Sequence, residues 1–209
     1  TLSSIIGKDK VIWRYDPIIL NRDLGIEYHT QHFNSLASEL SNYTERCTIS
    51  FLDLYKKTER NMKCIASNID DELMMIVGKE IASIAKKYDL RIETCCEAID
   101  LSSVGIQHAK CIDDTLISNV IGQKLEISKD KNQRDICGCV TSVDIGAYNT
   151  CKHMCLYCYA NFSDNAMTNN IKKHNKNSPM LIGDLEPDDK ITKRKMELYR
   201  QQIEQNELF

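Results

Sequence analysis

The sequence contains no apolar run near the ~20 residues needed to cross a bilayer, and its amino terminus has no basic stretch leading into a secretory apolar core. These absences argue against a membrane-spanning or exported protein and predict a cytoplasmic one with no membrane partner. Charge of one sign is missing too. Against 27 Lys and Arg stand 30 Asp and Glu, and the net −3 gives no overall pull toward nucleic acid or an anionic surface. The basic run KITKRK at 190–195 is interleaved with acids, and no aromatics alternate with it, so nucleic acid is not an expected partner. His29, His32, His108 and His174 have no paired spacing that marks a metal site, and no internal repeat or low-complexity stretch stands out. With 42% hydrophobic and 27% charged residues over 209 positions, the chain is neither disordered nor fibrous and is long enough for one domain with a substantial core. The first residue is Thr and a strand-like run starts at Val11, which predicts a preceding segment outside this chain.

What is present in excess is cysteine. Ten thiols stand at 47, 64, 95, 96, 111, 137, 139, 151, 155 and 158. In a large chain kept in a reducing compartment, such thiols read as metal or redox ligands rather than disulfide staples. Half of them fall between Cys137 and Cys158, so they form a cluster rather than a scatter.

Along the chain, strand and helix patterns alternate. Val11–Asp16 is rich in β-branched and aromatic residues and runs into Asp-Pro, a strand whose exit carries Arg14 and Asp16. Phe33, Leu36, Ala37 and Leu40 recur at helical spacing over 28–42. Residues 47–56 read as a buried strand ending near Asp53. The clearest helix spans 71–88, with one apolar face and Asp70 or Asn68 as its cap. A strand over 90–97 ends in thiols and Glu97. A short helix over 113–121 stops at Gly122, a charged loop follows, and 139–149 alternates as a strand. The cysteine loop comes next, then a helix from Tyr159 and a terminal helix over 188–206. Alternating units of this kind predict an α/β fold of repeated βα units with a mainly parallel sheet. Four units suit a partial or permuted TIM-barrel-like sheet or an open one, with the site at the carboxyl ends of the strands. The expected layout is a βα-repeat portion over 1–136, a cysteine-rich segment over 137–175 packed on the same domain, and a polar tail with the terminal helix over 176–209.

The string CKHMCLYC places Cys151, Cys155 and Cys158 at C-x3-C-x2-C spacing. Four thiolates saturate a four-iron cube, whereas three leave one iron open to a small molecule. Zinc with His153 or Cys139 as fourth ligand is the bland reading, but structural zinc usually takes cysteine pairs far apart in sequence, and three thiols in eight residues fit that poorly.

CKHMCLYCYAN resembles the cluster loop of radical S-adenosylmethionine enzymes. The resemblance implies a [4Fe-4S] cluster on Cys151, Cys155 and Cys158, S-adenosylmethionine chelated to the open iron, a 5′-deoxyadenosyl radical, and Tyr157 beside the adenine. The longer run from Cys137 to Asn161, with VIWRYDPIILN, YTERC, SFLDLYKKT and ETCCEAIDL, is similar to domain-of-unknown-function family 1848. In radical S-adenosylmethionine enzymes the three cysteines usually follow the first barrel strand; here they follow several βα units, so the barrel is permuted or the loop is grafted onto another α/β scaffold. No equivalent of the Gly-Gly-Glu-like strand that holds the cofactor's amino group is found.

The remaining thiols divide by position. Cys137 and Cys139 form a C-x-C pair that, with Cys95 or Cys96 and Cys111, predicts a second, four-cysteine site for an iron–sulfur cluster or zinc. Cys47 and Cys64 read as small buried hydrophobes. Asp16, Asp53 and Glu97, at strand ends, are candidates for cofactor hydroxyls, or equally caps and solvated groups. Lys56, Lys57 and Arg60 read as an anion site or a solvated loop.

The function expected is a radical-forming enzyme acting on an unidentified small or macromolecular substrate, fed by an electron donor such as flavodoxin or ferredoxin. The alternative is a non-enzymatic iron–sulfur or zinc protein, an electron carrier or an interaction module.

Overall fold

The computed structural model of the chain describes residues 1–54, 58–63, 65–66 and 69–200. They divide into two compact units. The first comprises residues 1–52, 69–142 and 198–200, and the second residues 53–54, 58–63, 65–66 and 143–197.

The first unit is an α/β sheet structure. A short helix α1 (Leu2–Ile6) leads into strand β1 (Ile12–Ile18) and helix α2 (Ile26–Leu40), followed by β2 (Arg46–Phe51). Helix α3 (Glu59–Met62) lies in the second unit. The chain then builds α4 (Asp71–Lys87), β3 (Arg91–Cys95), β4 (Gln107–Ala109) and α5 (Asp114–Ile121). The four strands form one parallel sheet in the order β1-β2-β3-β4. Four consecutive parallel neighbours are what repeated βα units predict.

Register sorts the side chains of this sheet into two chemistries. Trp13, Cys47 and Ile92 are paired across three strands, as are Tyr15, Ile49 and Thr94. That face meets the helices: Phe33 of α2, fully buried, stacks on Trp13 at 4.8 Å, and Val77, Ile81, Ile84 and Ala85 of α4 complete the core. The alternate residues point the other way. They are Arg14 and Asp16 on β1, Arg46 and Thr48 on β2, Glu93 and Cys95 on β3, with Ala109 opposite Cys95 on β4. On this polar face Arg46, almost wholly buried, bridges Glu93 at 3.4 Å and Asp113 at 3.5 Å. A buried cation is tolerable here because both carboxylates compensate it.

Helix ends follow the expected local chemistry. The Asp70 side chain accepts from Leu73 N at the start of α4, and Asp113 accepts from Thr115 N and Leu116 N at the start of α5. Gly122 ends α5 with φ +67°, a left-handed cap in which glycine meets no Cβ penalty. Asn68, the other cap candidate, lies outside the described residues, as do Lys56, Lys57 and Cys64.

Three expectations give way. No strand forms over 139–149: Val140 makes one isolated antiparallel bridge with Lys129, in which Thr141 N donates to Ser128 O and Asp130 N to Cys139 O, Val140 N donates to Ile112 O, and Val143 and Ile145 are exposed. The alternation is there, but no neighbouring strand extends the single bridge. The helix expected from Tyr159 starts five residues later as α6 (Asp164–Lys173), because Ser163 caps it by accepting from Ala166 N while the preceding backbone bonds to Asn149. The described residues of the expected terminal helix, 188–200, form no helix; its remainder, 201–206, lies outside the described part. Within the first unit, Glu126 N instead donates to Tyr199 O, and Leu125 and Arg200 form an isolated antiparallel bridge.

The second unit has little apolar interior. Among its described residues the buried ones are Thr58, Met62, Asn149 and Asn161, while Tyr148, Leu156, Phe162 and Leu181 are exposed. No helix of the described residues is long and apolar enough to cross a membrane.

Candidate functional site

Cys151, Cys155 and Cys158 sit on a loop of the second unit that is tied at its neck. Asn149 N donates to Ala160 O at 2.8 Å, and the Asn149 side-chain oxygen accepts from Phe162 N and Ser163 N at 2.9 and 3.1 Å. Asn149 adopts φ +54°, a left-handed conformation that asparagine tolerates better than most residues. Within the loop Cys158 N donates to Cys155 O at 2.9 Å, closing a turn around the last two thiols, and Met154 is also left-handed, with φ +52°. Asn161 donates through its amide nitrogen to Cys151 O and Met154 Sδ. That orientation leaves its side-chain oxygen buried with no hydrogen-bond partner. An orphan acceptor of this kind is costly unless a donor arrives.

Cys151 and Cys155 are exposed and Cys158 is half-buried, and all three are free thiols. His153 and Tyr157 on the same loop are both exposed. A cavity of about 400 Å³ lies beside the loop, bounded by Thr150, Lys152, Asn170, Ile171, His174 and Leu181. Its volume falls in the range of ordinary small-molecule sites.

The other thiols gather in the first unit, where the polar face of the sheet reaches the carboxyl ends of its strands. Cys95 closes β3, Cys111 follows β4 by two residues, and their sulfurs stand 2.8 Å apart. Cys96, Cys137 and Cys139 are buried together with Cys95 packed against them. Cys137 is hydrogen-bonded to both Cys96 and Cys139. The Cys139 sulfur accepts two backbone N–H groups, from Cys111 at 3.2 Å and Ile112 at 3.3 Å. Gly138, between the paired cysteines, presses against the Lys110 stem: a Cβ there would come within 3.1 Å of Lys110 Cγ.

Two arginines attend this group. Arg14 donates to the Cys111 sulfur at 3.4 Å and is held by Asp16 at 3.0 Å. It also reaches Cys95. Arg134 is hydrogen-bonded to Cys96. The electrostatics divide the thiols. The hydrogen bond from Cys111, reinforced by Arg14, holds Cys95 down to about 7 against the opposing effect of burial. Cys111 is pushed up by that same hydrogen bond with Cys95, so the pair shares one proton. Burial pushes Cys96 and Cys139 up. Cys47 lies apart in the core, fully buried and also pushed up by burial, the small hydrophobe its place in the strand predicts.

The three acidic candidates have separate fates. Asp16 belongs to the thiol group through Arg14. Glu97 is buried and accepts from Phe51 N at 2.8 Å, which ties the end of β2 to the end of β3. Asp53 is exposed and lies in the second unit. Arg60, exposed in α3, is also in that unit. Sequence reasoning missed Arg134 and the two asparagines. The signal for Arg14 was available, because Arg14, Asp16 and Cys95 share one side of the strands by alternation.

Among the described residues no three or more His, Cys, Asp or Glu side chains are drawn together so as to hold a metal ion. A cavity of about 630 Å³ lies at the opposite end of β2 and β3 beside Lys8, Glu45, Lys86 and Arg91. Sites in parallel α/β sheets form at the carboxyl ends of the strands, so the thiol end is the stronger candidate. No curated protein and no solved structure matches the chain. Residues 1–160 match the domain of unknown function DUF1848, and the chain belongs to that family.

Proposed function

We propose that the protein is an iron–sulfur enzyme of the radical S-adenosylmethionine kind, with a [4Fe-4S] cluster on Cys151, Cys155 and Cys158. The observation that carries the reading is a tied loop presenting three free thiols beside an unpartnered buried acceptor. A four-iron cube holds its thiolates at outer corners, farther apart than the ligands of one ion, so thiols that do not converge on a point still suit it. When bound, the cluster and S-adenosylmethionine supply a 5′-deoxyadenosyl radical that takes hydrogen from a substrate.

The chain's own residues have defined parts in this reading. Three thiolates leave one iron for the cofactor. Asn161 Oδ1 accepts from the ammonium of its methionine part, the task for which no Gly-Gly-Glu-like strand is present. Tyr157 lies beside the adenine, and the neighbouring cavity receives the nucleoside or the substrate. The sequential order of the four strands is that of consecutive units in a TIM-like barrel, and we take the sheet as part of one. The enzyme works in the cytoplasm, reduced by a flavodoxin or a ferredoxin.

The test is anaerobic reconstitution followed by addition of S-adenosylmethionine and a reductant. Tight cofactor binding and formation of 5′-deoxyadenosine are expected, and Asn161→Ala weakens binding by roughly tenfold or more, the worth of one charged hydrogen bond. A cluster that neither binds the cofactor nor cleaves it makes this a non-enzymatic iron–sulfur protein, and zinc with no iron on the loop removes both readings.

A further inference from the structure

We propose that Cys95 and Cys111 form a redox-active dithiol, a site of thiol–disulfide exchange whose substrate is a small soluble disulfide. The two sulfurs stand 2.8 Å apart, less than about 1 Å beyond the length of an S–S bond. That separation is too short for the metal sets that spacing predicts. Ligands on separate irons of a cube lie farther apart, and two thiolates about 2.3 Å from a tetrahedral zinc stand roughly 3.8 Å from each other. No three His, Cys, Asp or Glu side chains among the described residues are drawn together to hold an ion.

The fold makes the pair from distant stretches of chain. Parallel pairing of β3 with β4 sets Cys95 against Ala109, so the chain leaving β4 returns Cys111 to the Cys95 sulfur. Cys139 steadies that return by accepting the backbone N–H groups of Cys111 and Ile112 at 3.2 and 3.3 Å. Access then separates the pair from its neighbours: Cys111 is exposed and Cys95 half-buried, whereas Cys47, Cys96, Cys137 and Cys139 are buried. Arg14 donates to the Cys111 sulfur at 3.4 Å and also reaches Cys95. A partly exposed thiol beside a cation is the setting in which the thiolate, the attacking form, is stabilised. In a reducing compartment disulfides are transient and serve catalysis or redox sensing, which suits an open pair.

Cys95 is the attacking sulfur, because Cys111 and Arg14 both donate to it. Its thiolate attacks one sulfur of a disulfide RS–SR; that S–S bond breaks, RS⁻ leaves, and Cys95 is joined to the other half. The Cys111 thiolate then attacks the Cys95 sulfur, the Cys95–Cys111 bond forms, and the second RS⁻ leaves. In sum the chain gives up two electrons and two protons, and RS–SR becomes two RSH. Nothing in this exchange rests on the cysteine loop of the second unit.

To test the site, the full chain, reduced and kept without air, is equilibrated with mixtures of reduced and oxidised glutathione, quenched with acid, and its cysteines mapped by mass spectrometry. A Cys95–Cys111 disulfide is expected, cleared by dithiothreitol, while Cys47, Cys96, Cys137 and Cys139 stay reduced. In Cys111→Ser that bond is lost and glutathione remains attached to Cys95, since no second thiol is there to release it. In Arg14→Gln the bond forms about threefold more slowly or worse near pH 7 and regains its rate at higher pH, where the thiolate forms without the cation. A Cys96–Cys137 bond in place of the expected one overturns the proposal. So does glutathione held on both Cys95 and Cys111 of the unaltered chain, or a pair that stays reduced in excess oxidised glutathione.

Discussion

The two units of the chain are stabilised in opposite ways. The sheet unit buries a connected set of large apolar side chains from three strands, two helices and the loops beside them, and its thiols lie at the edge of that packing. Among the described residues of the cysteine-loop unit, Met62 is the one buried apolar side chain, and the loop is held by hydrogen bonds through Asn149 and Asn161. Small units with so little core are commonly completed by a metal whose binding free energy is also folding free energy. A packed core makes a fold that stands on apolar burial, while a tied loop with little core rests on its hydrogen bonds.

The sharpest way to break this contrast is to deny the loop its thiols. In the triple variant Cys151→Ala, Cys155→Ala, Cys158→Ala, limited proteolysis is expected to cut within 143–197 roughly tenfold faster or more. Cuts within β1–β3 stay slow. Equal protection of the two regions would erase the distinction.

A second comparison uses one residue type in both places. Phe33 is fully buried against Trp13 and Tyr15, and Phe33→Ala is expected to cost about 3–5 kcal/mol in urea unfolding. Phe162, just over half exposed, should cost less than about 0.5 kcal/mol when changed to Ala. Similar losses at both would mean that the second unit has a core of its own.

The smallest effect expected is a pH dependence confined to the sheet unit. His29 is buried, bonded through Nδ1 to the Tyr15 hydroxyl and through Nε2 to Ile19 O, and burial lowers its pKa below 6.5. The unfolded chain therefore takes up the proton first. Stability from this group is complete above about pH 7 and declines as the pH falls through 6. Unfolding free energies measured across this range should lose that slope in His29→Gln, and a slope that survives would assign it elsewhere.

Much of the sheet unit was legible because its signals are local. The apolar stripe and Asp70 cap predicted a helix over 71–88 and it spans 71–87; Gly122 marked the end of α5. β4 has three residues, too few for any periodicity to register. The failed strand over 139–149 shows the converse, since alternation reports a face and not a partner, and the partner is a long-range fact. The cysteine loop was legible as a donor set, but its asparagines were not, because a side chain that ties a loop leaves no pattern in spacing. The meeting of Cys95, Cys111 and Cys139 depends on parallel register, which sequence alone left as a choice between Cys95 and Cys96.

That register has a further effect. Because side chains alternate sides along each strand, Ile92 reaches the core and Cys95 the thiol group only while β3 keeps its present frame against β2 and β4. Inserting or deleting one residue within β3 would turn sulfur toward the helices and aliphatic groups toward the arginines, spoiling hydrophobic packing and the grouping of thiols together. Chemistry and architecture on this sheet are thus inherited as a single unit, and neither can drift along the strand without the other.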